Sequence, residues 1–225
     1  GVVLVPTIIK SINDHEMGGI LGFAQKNMDI VRAISYQPVS LTGRMEKQER
    51  DKYRITVPDC ISRIEEQTNG DIPEDAWFPV PSCSPVTQFI EAFSKKPQYE
   101  LSIHFACGAG TYVFEDTETK KLVPLTSFLD IKGMLEFLEE RSDEINSGGN
   151  RYLSAARFMS GIGSFVDKKK QPRGLNMAKL LISAILKHDY SAMSQFHTRS
   201  MFLGMMHFQD KYNQDEERLQ RCDIH

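Results

Sequence analysis

Residues 2–38 of the chain, VVLVPTIIKSINDHEMGGILGFAQKNMDIVRAISYQP, carry the pattern that decides the fold. The first apolar run, VVLVPTII, is rich in β-branched residues, which is typical of a strand buried on both faces. A helix is predicted next, and DIVRAISYQP predicts a second strand that Pro38 ends. A strand, a helix and a strand within about 40 residues form a βαβ unit, whose two strands run parallel. The sequence therefore predicts an α/β fold.

The carboxyl ends of these two strands are the expected place for a ligand. Pro6 and Thr7 lie at the end of the first strand, and residues 37–40 lie at the end of the second. In sheets built from βαβ units, ligands bind beyond the carboxyl ends of the parallel strands. We therefore look for binding residues at these two positions.

Residues 41–56, LTGRMEKQERDKYRIT, predict a polar connector, and the rest of the chain predicts a small β element and several helices. Residues 99–128 predict a hairpin with a polar turn near 116–120, and residues 130–146 predict an amphipathic helix. Residues 176–222 predict two or three further helices. Within them, MFLGMMHFQDKY (201–212) places Met and Phe on one helical face, either as packed core or as the lining for a long apolar substrate.

Composition excludes several classes of protein. The 225 residues carry a net charge of −3, so no general nucleic-acid footprint is expected. No apolar run approaches the roughly 20 residues that span a bilayer. Four scattered cysteines do not predict a disulfide framework, which favours a reducing, cytoplasmic setting. Because the chain starts without Met inside a predicted strand and ends at RCDIH, we expect it to be a fragment.

Two short spacings could supply metal ligands. His104 and Cys107 form H-x-x-C, and Cys222 and His225 form C-x-x-H. Two thiolates and two imidazoles make a tetrahedral zinc set, so a non-enzymatic zinc-binding domain is one interpretation. An iron–sulfur site completed by further cysteines is equally open, because thiolates hold most clusters. Buried free thiols in a metal-free helical interaction domain are the third interpretation.

The chain also resembles a known enzyme family. Residues 2–38 resemble the second half of a radical S-adenosylmethionine (SAM) barrel, as in relatives of the molybdenum-cofactor protein A type. Together with YQPVSLTGR, WFPVP, HFACGAGTYVF and GMMHFQDKYNQDEERLQRCDIH, they resemble the archaeal tetraether lipid synthase family and its close uncharacterised radical SAM relatives. That family is described as joining lipid tails through a carbon–carbon bond between unactivated carbons, with a SAM-derived radical and several iron–sulfur centres.

The resemblance implies a fold and a division of the chain. The expected fold is the C-terminal half of a partial (β/α) barrel, followed by an α+β, mainly helical region. Residues 1–55 would be the last barrel units and residues 56–130 an α+β insertion or extension that contains Cys107. Residues 131–225 would be a helical region that leads to an auxiliary cluster motif.

The resemblance also implies cofactors and site residues, although no catalytic residue is implied. SAM would be bound by Val5, Thr7, Gln37 and Pro38 at the strand ends. The 4Fe–4S cluster that cleaves SAM needs a CxxxCxxC loop, and this loop is absent from the sequence, so the fragment should be inactive alone. In the intact enzyme that loop would precede this region.

Two cysteines gain a role from the same resemblance. Cys107 and Cys222 fall in motifs where the family has cysteines, so they are expected to bind an auxiliary 4Fe–4S cluster.

Substrate and partners follow from the resemblance as well. Ser40 and Arg44 follow the second strand and could bind a polar head group, since the fork of an Arg side chain binds phosphate bidentately. The expected substrate is a lipid, with lipid biosynthesis as the archaeal-type role, an electron donor protein as partner and a peripheral membrane contact allowed. A radical SAM enzyme that acts on a small molecule is the alternative.

Overall fold

The N-terminal βαβ unit forms as its sequence predicts. The computed structural model describes residues 1–187 and 198–222. Strands β1 (Val2–Leu4) and β2 (Thr7–Ile8) each pair in parallel with β3 (Val31–Pro38). Helix α1 (Met17–Lys26) connects them and buries Met17, Leu21 and Ala24, which lie four and three residues apart on one face. The prediction of parallel strands is confirmed.

The centre of the sheet is formed by a strand where the sequence predicted a helix. Strand β7 (Ser200–Met206) pairs in parallel with β3 and antiparallel with β5 (Gly108–Glu115). The prediction that residues 201–212 are helical is therefore wrong. Because both faces of β7 are covered, its apolar residues follow one another without alternating with polar ones. A continuous apolar run shows neither the period of a helix nor that of a strand, so the sequence does not distinguish the two.

The hairpin predicted for residues 99–128 is confirmed in its second half. Strand β5 pairs antiparallel with β6 (Leu122–Pro124) and with the short β4 (Phe78–Pro79). In the turn, the Asp116 amide donates to the Lys121 carbonyl, and the Asp116 carboxylate accepts from the next amides along the chain. The strand order is β1-β3-β7-β5-β4, with β2 beside β3 and β6 beside β5.

Helices cover the sheet and close two hydrophobic cores. Besides α1, the α-helices of the described residues are α2 (Lys47–Tyr53), α3 (Val57–Gln67), α4 (Ser84–Ser94), α5 (Ile131–Asn146), α6 (Arg151–Gly161), α7 (Met177–Ile182) and α8 (Glu216–Gln220). Val113 belongs to the core formed with α1 and α3, whereas Phe114 belongs to the core formed with α4, α5, α6 and α7. Because neighbouring strand residues point to opposite faces, the sheet separates the two cores.

The architecture confirms a mixed α/β fold. Helix α2 lies inside the stretch for which the sequence predicted only a polar connector. None of the helices in the described part of the chain is both long and apolar enough to cross a bilayer. The division at residues 55 and 130 stays a prediction.

Candidate functional site

The carboxyl ends of β2, β3 and β7 meet at one edge of the sheet. Since these three strands are parallel, the loops that follow β3 and β7 leave the sheet side by side. The hydroxyl of Ser40, two residues after β3, donates to the carbonyl of Phe208, two residues after β7, over 3.1 Å. This edge is the candidate functional site.

A buried carboxylate joins the two loops. Asp210 accepts hydrogen bonds from the amide of Leu41 (2.9 Å) and the amide of Tyr212 (2.8 Å). Nη2 of Arg54 lies 3.0 Å from each oxygen of the same carboxylate. Burial by itself would raise the pKa of Asp210, but the hydrogen bonds from Arg54, Leu41 and Tyr212 outweigh it and the pKa is lowered. Asp210 is therefore ionised at neutral pH.

Tyr212 fastens the loop after β3 from the other side. Its hydroxyl donates to the Gly43 carbonyl over 2.6 Å and accepts from the amide of Met45 over 3.1 Å. The guanidinium of Arg50 lies over the Tyr212 ring, 4.2 Å from its centroid. Such a cation–π contact is worth about 0.5–1 kcal/mol at a surface and more when it is shielded from water. Both loops are therefore fixed by polar contacts from α2 and from each other.

His207, the first residue after β7, lies among positive charges. It is buried, and its Nε2 has no hydrogen-bond partner among residues 1–187 and 198–222. Burial lowers the pKa of His207, and the charges of Arg218 and Arg54 lower it further against the opposing charge of Asp210. The imidazole is therefore neutral at neutral pH.

Arg218 ties the C-terminal helix to the same edge. Its Nη2 donates to the His207 carbonyl over 2.7 Å, while its Nε is buried without a partner in the described part of the chain. The same holds for Nη1 of Arg54. Buried polar groups are almost always paired in native proteins, so these two donors and His207 Nε2 mark this edge as a place for a polar ligand.

The structure brings together the residues predicted to bind SAM. Thr7 and Gln37 are register partners between β2 and β3, and the Gln37 amide donates to the Pro6 carbonyl over 2.9 Å. Val5 and Thr7 are exposed, Gln37 is half-buried and Pro38 is buried. Their role as cofactor ligands stays a prediction.

The two residues predicted to bind a substrate head group differ in their surroundings. Ser40 is engaged with Phe208. Arg44 is exposed and forms no hydrogen bond or ion pair with the described residues. Arg44 is thus available to a ligand, whereas Ser40 would have to exchange its partner.

Cys107 and Cys222 are both half-buried free thiols. The Cys107 carbonyl accepts from the His207 amide over 3.1 Å, so its loop lies beside the candidate site. No group of three or more Cys, His, Asp or Glu side chains in residues 1–187 and 198–222 has the arrangement of a metal site. The described residues alone do not supply the ligands of an iron–sulfur cluster, and the binding of an auxiliary 4Fe–4S cluster by Cys107 and Cys222 stays a prediction.

The zinc interpretation is also not supported. Nδ1 of His104 accepts a hydrogen bond from the Ala106 amide over 3.1 Å and caps the short 3₁₀ helix at residues 105–107. The side chain is 6% exposed, as expected for a structural histidine. His225 lies outside the described residues.

Sequence reasoning missed the residues that build this edge. His207 and Asp210 fall in a predicted helix because the sequence does not reveal β7. Arg218 does lie on a helix, α8, and Arg54 lies in the predicted polar connector, so neither carries a signal of its own. One signal could have found two of them: the apolar run MFLGMM is followed by HFQD, in which three of the four residues are polar. Such a change from apolar to polar residues is typical of the carboxyl end of a buried strand.

Comparison with known proteins adds one relative. No model of a known protein family matches the chain. The chain is 42% identical over 230 residues to 7,8-dihydro-6-hydroxymethylpterin dimethyltransferase of Methanocaldococcus jannaschii. The alignment takes in 100% of this chain and 45% of the relative. The chain therefore spans about half the length of the curated relative it matches.

This relative overturns the lipid interpretation. It is similar over the whole chain, and its name gives a pterin as the compound acted on. The assignment to tetraether lipid synthases, the lipid substrate and the role in lipid biosynthesis are wrong. The alternative of a small-molecule substrate agrees better with this finding.

Proposed function

We propose that this chain is part of a radical SAM enzyme that methylates a small heteroaromatic substrate of the pterin class. The observation that carries the proposal is the 42% identity, over the entire chain, with a dihydropterin dimethyltransferase. An identity of this size along the full chain is expected when two chains share a fold and most of their site residues. The methylating activity belongs to the relative by its name and to this chain by this proposal.

The edge of the sheet supports the barrel part of the proposal. Strand β1 pairs with β3 on one side only within the described residues, and its Val2 and Val3 are 46% and 52% exposed. An exposed, β-branched parallel edge favours pairing with further strands. Additional parallel strands supplied by a longer chain would continue the sheet towards a barrel. Residues 1–55 would then be the last units of that barrel, as the resemblance to radical SAM enzymes implies.

The strand ends support SAM as the cofactor. Thr7 and Gln37 lie side by side where two parallel strands end, and Val5 and Thr7 are exposed. When bound, SAM would supply the 5′-deoxyadenosyl radical or a methyl group. The chain's own residues would hold it: Val5 and Thr7 would offer backbone hydrogen bonds, and Gln37 would offer its side-chain amide to the same ligand.

The candidate functional site at the carboxyl ends of β3 and β7 would bind a polar group of a small molecule and keep water away from it. The donors of Arg54 and Arg218 that have no partner among the described residues suit an acceptor group of a bound molecule. Asp210 holds the guanidinium of Arg54 in place for this purpose. Because His207 is neutral, it would donate or accept a hydrogen bond without adding charge.

An anaerobic SAM-cleavage assay tests this function. The full-length protein that contains this chain is reconstituted with iron and sulfide, reduced, and given SAM with 7,8-dihydro-6-hydroxymethylpterin. We expect 5′-deoxyadenosine to form faster when the pterin is present, together with a methylated pterin in the mass spectrum. The fully oxidised pterin and a long-chain lipid are the comparison substrates. Cleavage that no pterin stimulates, or that the lipid stimulates instead, would overturn the proposal.

A further inference from the structure

The loop that follows β3 is fastened along its length to the loop that follows β7. Residues 39–46 lead from β3 to α2, and residues 207–215 lead from β7 to α8. Four hydrogen bonds join these two loops: Ser40 to Phe208, Leu41 to Asp210, and both Gly43 and Met45 to Tyr212. The backbone of the loop after β3 is therefore held in one place at the carboxyl edge of the sheet.

Tyr212 holds the backbone on both sides of Arg44. Its hydroxyl donates to the carbonyl of Gly43 over 2.6 Å and accepts from the amide of Met45 over 3.1 Å. Gly43 has a φ of +77°, which glycine adopts without strain, so the chain turns at this residue. The turn and the two hydrogen bonds fix the point at which the Arg44 side chain leaves the backbone. Binding of a ligand would therefore order only that side chain, which lowers the entropic cost of binding.

Arg44 differs in its surroundings from the other arginines at this edge. Arg50, Arg54 and Arg218 each contact another residue of the two loops. Arg44 is exposed, and its side chain has neither a hydrogen bond nor an ion pair with the described residues. A solvated arginine is ordinary on a protein surface. Here, however, a fixed backbone carries a free guanidinium at the edge where sheets of parallel strands bind their ligands.

The charges at this edge favour an anion. Of the four arginines, only Arg54 has a carboxylate partner in the described part of the chain, and that partner is Asp210. Burial lowers the pKa of His207, and Arg218 and Arg54 lower it further, as expected where positive charge is in surplus. A cationic group would be repelled from such an edge, whereas a carboxylate or a phosphate would be attracted to it.

We propose that Arg44 binds the anionic oxygen group, a carboxylate or a phosphate, of a molecule held at the strand ends, and that Tyr212 is the positioning residue for Arg44. The planar guanidinium donates two parallel hydrogen bonds to two oxygens of such a group. Two sources of the anion have this chemistry: the carboxylate of SAM and a phosphate carried by another small molecule. The first source rests on the proposed function, whereas the place and the charge of the site rest on the two loops.

Probes with and without the anion test the proposal. The full-length protein that contains this chain is reconstituted with iron and sulfide and kept unreduced, so that SAM binds without being cleaved. Isothermal titration calorimetry at fixed ionic strength measures the affinities for SAM, for decarboxylated SAM and for inorganic pyrophosphate. The variants are Arg44→Gln, Arg44→Lys and Tyr212→Phe. Lys47→Gln is the matched control, because Lys47 is an exposed cation outside the segment that Tyr212 holds.

We expect Arg44→Gln to weaken an anionic probe by about tenfold or more, the usual effect of losing a hydrogen bond between charged groups, and not to weaken decarboxylated SAM. Arg44→Lys keeps the charge without the fork, so it should recover part of the loss. Tyr212→Phe keeps the ring beneath Arg50 but loses both hydrogen bonds to the loop. It should weaken the same anionic probe by about threefold to tenfold and leave decarboxylated SAM unchanged, a difference that a general loss of stability would not produce. Lys47→Gln should change each affinity by less than about twofold.

The anionic probe that loses affinity identifies the source of the anion. A loss for SAM assigns Arg44 to the carboxylate of the cofactor, and a loss for pyrophosphate alone assigns it to a phosphate of another molecule. The proposal is overturned if neither anionic probe binds the wild type, if Arg44→Gln changes neither affinity, or if it weakens decarboxylated SAM equally. Equal effects of Arg44→Gln and Lys47→Gln also overturn it, and a Tyr212→Phe variant that binds like the wild type overturns the role of Tyr212. SAM that binds the wild type and Arg44→Gln equally well leaves the proposed function standing, and the SAM-cleavage assay decides that function separately.

Discussion

Asp210 connects the loops that follow the two central parallel strands, so its removal should destabilise the protein strongly. In Asp210→Ala, the amides of Leu41 and Tyr212 and the guanidinium of Arg54 lose their common acceptor. The Asp210 side chain is 1% exposed and that of Arg54 is 22% exposed. Breaking a buried pair in this way costs about 3–5 kcal/mol, because a charge and two donors stay buried without a partner.

Urea unfolding, followed by far-UV circular dichroism, measures this loss. With a slope of about 2 kcal/mol per molar urea, a loss of about 4 kcal/mol lowers the midpoint by about 2 M. Asp71→Ala is the matched control. Asp71 forms a 3.2 Å ion pair with Lys121, but both side chains are exposed, at 42% and 65%. The control should therefore lose less than about 1 kcal/mol.

The pH dependence gives a second check on the same residue. The pKa of Asp210 is lower in the folded protein than in an unfolded chain, where the carboxyl group of an Asp titrates at about 3.9. Its ionised form therefore contributes stability above that value, and the contribution is lost as the pH falls through the folded pKa. The stability gap between the wild type and Asp210→Asn should be constant at neutral pH and shrink below about pH 4. Equal losses in Asp210→Ala and Asp71→Ala, or a gap that persists in acid, would refute this account.

Three further outcomes can be measured on the same chain. Gly22→Ala should raise the free energy of unfolding by about 0.5–1 kcal/mol, because Ala favours a helix interior over Gly and the added methyl group would have no atom within 4 Å. Gly18→Ala should lower the free energy of unfolding, because its Cβ would lie 2.8 Å from the Cβ of Gln67. Denaturation curves of the pair should move in opposite directions. Cys60 should resist iodoacetamide until the chain unfolds, since burial, with the charges of Asp59 and Asp14, raises its pKa to about 12; alkylation of the native protein at Cys60 in mass spectra would contradict this. Thr56→Ala should cost about 1 kcal/mol by removing the capping box of α3, and an unchanged melting temperature would count against it.

The glycines of α1 show which effects the local sequence predicts and which depend on packing. The sequence places Gly18 and Gly22 in one helix, where each weakens it to a similar extent. The structure separates them: the Gly18 amide donates to the Gln67 side chain over 2.8 Å, and α3 lies against this position. Gly22 faces open space. Only the packing of α3 on α1 decides which of the two glycines the fold needs.

The sequence by itself determined the βαβ unit, the turn of the β5–β6 hairpin and the amphipathic helix α5. Each of these depends on contacts between residues close in the chain, such as the apolar period, the turn at residues 116–120 and the Asp130 cap. The sequence also indicated which strand ends to examine. It did not determine the substrate class, and the lipid interpretation drawn from resemblance was wrong.

Only the tertiary structure decided where β7 lies in the sheet and which residues form the candidate functional site. The run MFLGMM is apolar throughout, so nothing within it distinguishes a strand from a helix, and its partners β3 and β5 lie about 170 and 90 residues earlier in the chain. Asp210 meets Leu41 and Arg54 across similar separations. Local patterns specify elements, whereas pairing between distant segments selects the central strand and, with it, the buried charges at the carboxyl edge of the sheet.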